Sequence, residues 1–92
     1  MIAGMTEQWD RLAKAVAQRR AWLKLSQDTI RALGGPSDVV QSRIENNEEP
    51  RPRGDTLHKL DAPLQWQAGS AVAVLFGGDP VPLGAAPPVR GA

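Results

Sequence analysis

The sequence predicts a single small all-α domain, and three features of the chain support this fold class. Apolar residues recur at helical spacing between residues 6 and 23. The stretch from 25 to 47, LSQDTIRALGGPSDVVQSRIENN, contains two short helical segments separated by Gly-Gly-Pro. A nearly uninterrupted apolar run, residues 71–76, stops at a Gly-Gly pair. A chain of 92 residues suffices for one compact core.

The first helix is predicted to run from Thr6, a capping residue, to about Leu23. Its apolar stripe, which we expect in the core, consists of Trp9, Leu12, Ala13, Val16 and Leu23. Trp22 lies off this stripe. It either covers the end of another helix or is partly exposed, and we favour the packing role.

The second helix begins after Ser26, whose hydroxyl is suited to cap it. Ile30 and Leu33 give this helix one apolar face. The following turn, Gly34-Gly35-Pro36, ends it because glycine adopts left-handed backbone angles and proline cannot continue the hydrogen-bond ladder.

The third helix is capped by Ser37, and Val40 and Ile44 lie one turn apart and are expected to point inward. The opposite, outward face carries Asp38, Val39, Ser42 and Arg43. Two short helices hinged in this way are typical of a DNA-binding helix-turn-helix, whose second helix enters the major groove. The alternative is a helical hairpin inside an all-α domain, with an outer polar face that is only solvated.

The rest of the chain predicts two more helices and a tail. The fourth helix begins near Asp55 and is ended or kinked by Pro63. Its buried residues are expected to be Leu57, Leu60 and Leu64. Ser70 is expected to cap the fifth helix. We assign residues 1–79 to the domain and residues 80–92, which contain four prolines, to a flexible Pro/Gly/Ala-rich tail or linker.

The fifth helix is also the predicted dimer interface, formed by Val72, Val74, Leu75 and Phe76. These side chains cannot all face one core from a two-turn helix, so at least one is expected outside, with Phe76 and Val74 favoured. A homodimer on DNA suits a protein with one recognition helix, because two half-sites add specificity. The alternative is a monomer in which the proline-rich tail or Trp22 covers these residues.

The stretch 25–47 resembles, without gaps, the helix-turn-helix of the lambda-repressor/Cro family, also called the XRE family, of bacterial and phage regulators. The matching residues are Leu25-Ser26-Gln27, Gly35, Ser37 and Arg43-Ile44-Glu45-Asn46. Outside the motif they are Arg19-Arg20, Arg51-Pro52-Arg53, Thr56-Leu57, Lys59-Leu60-Asp61, Trp66, Gly69-Ser70 and Gly77-Gly78. The resemblance covers roughly residues 9–80. It implies a five-helix lambda-repressor-like DNA-binding domain with the motif in helices 2 and 3.

Base reading is expected from the outward face of the third helix, which presents hydrogen-bonding groups to base edges. The predicted base-reading residues are Asp38, Val39, Gln41, Ser42 and Arg43. Arg43 either binds a guanine base, or it contacts a phosphate or a neighbouring acidic side chain. Asp38 either accepts a hydrogen bond from cytosine or only complements the dipole at the start of the helix. The family has an apolar residue where this chain has Gln41. The glutamine therefore either needs a buried partner or lies at the surface and joins the reading set.

Phosphate binding is implied by the resemblance for residues that flank the motif. They are Arg19, Arg20, Gln27, Ser37, Asn46, Arg51 and Arg53, with Ser37 acting mainly as a cap. The net charge of +1 is by itself weak support for nucleic-acid binding.

Several function classes are disfavoured. The chain has no cysteine and only one histidine, His58, so we expect no catalytic site, no metal and no cofactor. The two Gly-Gly pairs lack a following Lys-Ser or Lys-Thr and are not phosphate loops. No window is long and apolar enough for a membrane span, and we expect a cytoplasmic protein without a small-molecule substrate.

These observations favour a sequence-specific double-stranded DNA-binding transcriptional regulator, with repression of an operator in a phage or a bacterium as the expected role. The alternative is an antitoxin-like or regulatory protein-interaction module built on the same fold.

Overall fold

The computed structural model describes residues 7–83, which form five α-helices and no β-strand. The helices are α1 (Trp9–Leu23), α2 (Gln27–Ala32), α3 (Asp38–Glu45), α4 (Gly54–Asp61) and α5 (Ser70–Leu75). The predicted all-α class is therefore confirmed for this part of the chain. Thr6, the expected cap of the first helix, and residues 84–92 of the predicted tail lie outside the described residues.

The core forms around α1, which packs against both α3 and α5, while α4 packs against α5. Leu12, Ala13 and Val16 are buried as the helical spacing predicted. Trp9 packs against the core only in part, and Leu23 is likewise half-buried. The other buried apolar residues include Ile30, Ile44, Leu57, Leu60, Leu64, Trp66, Ala71, Val74 and Leu75. Leu33, expected on the apolar face of the second helix, is 57% exposed.

The α2–α3 unit consists of these two helices and the turn between them, and each helix has the serine N-cap that the sequence predicted. The Ser26 hydroxyl accepts a hydrogen bond from the Thr29 amide at 3.1 Å, and the Ser37 hydroxyl accepts from Val40 at 3.3 Å. Gly35 is required between them, since a Cβ there would lie 2.6 Å from Ile30 Cγ2 and 2.7 Å from the Ile30 carbonyl oxygen. The turn is thus closely packed against the end of α2.

The start of α5 differs from the prediction, because Asp61 and not Ser70 satisfies its free amides. The buried Asp61 carboxylate accepts from Gly69 N at 2.7 Å and from Ala71 N at 2.9 Å. The Ser70 hydroxyl instead accepts from the Val81 amide at 3.1 Å. The end of α4 is therefore tied to the start of α5.

Residues 80–83, which the sequence assigned to a flexible tail or linker, make backbone contacts with the domain. The Val81 carbonyl accepts from Gln67 N at 2.7 Å, and the Leu83 amide donates to the Gln65 carbonyl at 2.6 Å. Trp66 and Pro82 form an isolated antiparallel bridge, and Trp66 is only 2% exposed. These residues are held because their backbone groups find partners in the loop before α5.

Within residues 7–83, no helix combines the length and the apolar character that crossing a bilayer requires.

Candidate nucleic-acid interface

The outward face of α3 is the surface on which the predicted base-reading residues lie, with one exception. Asp38 and Val39 are exposed, and Ser42 and Arg43 are half-buried. The Asp38 carboxylate accepts from the Val39 amide at 3.0 Å, which complements the helix start as the dipole interpretation expects. No acidic group among residues 7–83 forms an ion pair with Arg43.

Gln41 is the exception, because it is 1% exposed and cannot reach a base edge. Its Nε2 donates to the Gln27 carbonyl oxygen and to the Pro36 carbonyl oxygen, both at 2.8 Å. The buried face of α3 is centred on Gln41 and Ile44, three residues apart, and Val40 is only half-buried. The assignment of Gln41 to base reading is therefore wrong. The signal that pointed to burial was the apolar residue usual at this position in the resembling family.

Gln27 joins α2 to the outward face of α3. Its side-chain oxygen accepts from the Ser42 hydroxyl at 3.2 Å, while its backbone oxygen accepts from the buried Gln41 amide. Gln27 is the first residue of α2. The structure thus brings one predicted phosphate-binding residue next to one predicted base-reading residue.

Arg20 ties α1 to α3. Its Nε and Nη2 donate to the two oxygens of Glu45 at 2.8 Å and 2.9 Å, and its Nη1 donates to the Leu25 carbonyl at 3.0 Å. The hydrogen bond to Glu45 raises the pKa of the Arg20 guanidinium; burial opposes this and Coulombic attraction to Glu45 adds to it. Because three of its N–H groups are engaged within the protein, we correct the phosphate assignment and place Arg20 in the scaffold.

Arg19 lies on a different side of α1 from Arg20. Its Nε donates to the Leu64 carbonyl at 2.8 Å and Nη2 to the Gln65 carbonyl at 3.3 Å, both in the loop after α4. Its guanidinium carbon stands 4.9 Å from the centre of the Trp22 ring. These contacts direct the half-buried Arg19 side chain toward the loop after α4, and its phosphate role stays a prediction.

The loop after α3 holds the remaining phosphate candidates. Asn46 is the C-cap of α3 and is exposed, and Arg53 is exposed at the N-cap position of α4. Arg51 donates to the Asn47 side chain at 2.6 Å and stands 5.2 Å from the Trp9 ring centre. Ser37 remains a cap. Two acids in this loop, Glu48 and Glu49, are exposed and reduce its positive charge.

The predicted dimer interface is only partly available. Val74 and Leu75 are 1% and 3% exposed because they face the core formed with α1 and α4, so their assignment to an interface is wrong. Phe76 is 40% exposed, and Val72 is half-buried. Trp22, expected to pack, is 73% exposed.

No protein-family model, no curated protein and no solved structure matches this chain.

Proposed function

We propose that this chain is a sequence-specific double-stranded DNA-binding protein of the lambda-repressor/Cro kind, in which α3 is the recognition helix. The observation that carries the proposal is the α2–α3 unit, with both helix starts capped and the turn closed by Gly35. Its outer surface presents Val39, Ser42 and Arg43, and hydrogen-bonding and apolar side chains of these kinds read base edges.

The contacts beneath α3 support a rigid reading surface. Gln41 and Ser42 both bond to Gln27, and Arg20 holds the end of α3 through Glu45. A base-reading helix works only when its register on the duplex is fixed, and phosphate contacts supply that register. Candidates for this role that are exposed or half-exposed are Gln27, Asn46, Arg51 and Arg53.

The role proposed for the whole protein is transcriptional regulation, with repression by occupying an operator. No catalytic residue, metal or cofactor takes part in this mechanism, because affinity comes from phosphate contacts and specificity from the α3 side chains. A homodimer would place two α3 helices in successive major grooves about 34 Å apart.

Selection from a random duplex pool, followed by binding measurements at several salt concentrations, tests the proposal. With Arg19 and Arg20 hydrogen-bonded within the protein, the arginines on α3 and in the loop after it are Arg43, Arg51 and Arg53. Neutralising about three phosphates gives a log-log salt slope of about −3 per protomer. If no sequence is enriched from the pool, or if the affinity does not depend on salt concentration, the proposal of specific DNA binding is rejected.

The second candidate is an antitoxin-like or regulatory module that acts by binding a protein. The observation that favours it is the exposure of large apolar side chains, above all Trp22 at 73%. Retention on a duplex DNA column that falls with salt favours the first function. Failure to be retained, together with coding beside a toxin-like reading frame, favours the second.

A further inference from the structure

A groove of about 580 Å³ runs along the side of α1 that faces α5 and residues 80–82. Its most buried lining residues are Trp66 and Val74, and Pro80 and Pro82 form the side opposite α1. The α1 side includes Lys14 and Trp22, which lie eight residues apart on one face of the helix. The interior of the groove is thus mainly apolar.

Trp22 lines this groove and is 73% exposed. The guanidinium of Arg19, 4.9 Å from the ring centre, is itself fixed by the Leu64 carbonyl. This contact favours one position of the indole before a partner arrives, which lowers the conformational entropy lost on binding. Exposed tryptophans of this kind are frequent anchors of protein interfaces because they bury a large apolar area.

The rim of the groove is positively charged. Arg11, Lys14 and Arg19 all line it, and no acidic side chain among residues 7–83 does so. Arg11 is paired with the adjacent Asp79 at 2.8 Å, and Arg19 is bound to backbone carbonyls. Lys14 is exposed and supplies a mobile charge next to the apolar interior.

We propose that this groove binds an acidic segment of a partner protein, with an apolar side chain against Trp22 and a carboxylate near Lys14. The charge of the rim selects an acidic occupant, and the apolar interior selects one with a hydrophobic side chain. Arg20, which contacts α3, lies on the other side of α1 from the groove. Partner binding therefore leaves the outer face of α3 accessible.

Other occupants fit the groove less well. A nucleic acid backbone matches the charge of the rim but carries no aliphatic side chain for the apolar interior between Trp66 and Val74. The segment after Leu83, GAAPPVRGA, contains Arg90 and no acid, so it does not complement the rim. In a two-fold symmetric dimer formed through this groove, Arg11, Lys14 and Arg19 of one copy would face the same three cations of the other copy.

Titration of the full 92-residue protein with labelled peptides tests the inference. The probes are a short peptide rich in Asp, Glu, Leu and Phe, the same peptide with every acid replaced by its amide, and one with every Leu and Phe replaced by Ser. We expect only the first to bind and to shift the Trp22 indole resonance. Lys14→Glu and Trp22→Ser should each weaken it about tenfold or more.

Arg31→Glu is the matched control, because it makes the same kind of charge change at an exposed α2 side chain that does not line the groove. It should leave peptide affinity unchanged. Equal binding of the amide peptide, or unchanged affinity in Lys14→Glu, would overturn the inference. So would competition by single-stranded DNA at the Trp22 resonance, or self-association that Trp22→Ser abolishes. Since both changes lie at exposed positions, urea unfolding of the variants should match that of the wild type.

Discussion

The side-chain amide of Gln41 donates to the backbone oxygen of Gln27 at 2.8 Å and so ties the middle of α3 to the first residue of α2. The same nitrogen donates to the Pro36 carbonyl in the turn. The other amide atom, Gln41 Oε1, is buried and has no hydrogen-bond partner among residues 7–83. Gln41 therefore stabilises the α2–α3 unit only through the hydrogen bonds that its side-chain nitrogen donates.

Replacing Gln41 by Glu should lower the free energy of unfolding at neutral pH by about 3 kcal/mol or more, because a buried carboxylate would face two carbonyl oxygens and could donate to neither. Gln41→Leu should cost less, about 1 to 2 kcal/mol, since the Gln27 and Pro36 carbonyl oxygens lose their donor but no charge is buried. Urea unfolding measures both. Equal losses in the two variants would show that donation does not explain the role of Gln41.

The Arg20–Glu45 pair should contribute more than a surface ion pair, because its side chains are 26% and 10% exposed and it is bidentate. Arg20→Met should lower the free energy of unfolding by about 2 to 3 kcal/mol by leaving the half-buried Glu45 unpaired. Arg31→Met, which removes the exposed 4.0 Å pair with Asp28, should cost less than about 0.5 kcal/mol. Similar losses would contradict this ranking.

The pH dependence of the Arg20 contribution follows from its raised pKa. A raised pKa in the folded state means that the stabilisation is fully present below the ordinary arginine pKa and is lost only as pH rises through the raised value. Both values lie far above neutrality, so ionisation of Arg20 should add no pH dependence between about pH 6 and pH 10. If the difference in unfolding free energy between the wild type and Arg20→Met disappeared near neutral pH, this expectation would be contradicted.

Asp61→Asn should destabilise the α4–α5 connection by about 1 to 3 kcal/mol, because one of the two amides bound by the carboxylate would then face an NH₂ group. Asp55→Asn is the control, since Asp55 also accepts from a backbone amide, Thr56 N, but is exposed. It should cost less than about 0.5 kcal/mol. Hydrogen exchange at Ala71 reports the change locally.

Local features of the fold were predictable from the sequence, because they depend on neighbouring residues. Ser26 and Ser37 cap their helices, and Gly34 has the positive φ, 101°, that the Gly-Gly-Pro turn predicted. Helical spacing likewise predicted the buried stripe that contains Leu12 and Val16.

Features that depend on distant contacts were not predictable in this way. The Arg19 guanidinium is bound by carbonyls after α4, and Ser70 is diverted from capping by its bond to Val81. Neither partner is visible in a local pattern, since the sequence does not state which segments meet. Gln41 was ambiguous because its side chain has both a polar amide and enough length to reach carbonyls across the turn.

Within the candidate interface, Arg43 and Arg53 should behave differently when replaced by alanine. Arg43 lies on α3, so its loss should change the sequence selected from a random duplex pool, whereas the loss of Arg53 should weaken all sequences alike and reduce the salt slope by about 1. Selection and salt titration of each variant measure this. An unchanged preferred sequence in Arg43→Ala would make Arg43 a phosphate ligand and leave base reading to Asp38, Val39 and Ser42.

The last prediction concerns assembly through Phe76, the predicted interface residue that is 40% exposed at the end of α5. Phe76→Glu should split a wild-type dimer without unfolding the protomer, because a charge would have to be buried in the interface while the core side of α5 is untouched.

Leu83→Glu is the matched control, since Leu83 is also exposed, at 50%, but lies outside α5. Sedimentation and binding to a duplex with two half-sites distinguish the variants. We expect Phe76→Glu to sediment as a monomer and to lose cooperative binding, and Leu83→Glu to match the wild type. A wild type that stays monomeric at high concentration, and binds one half-site without cooperativity, would remove Phe76 from the mechanism.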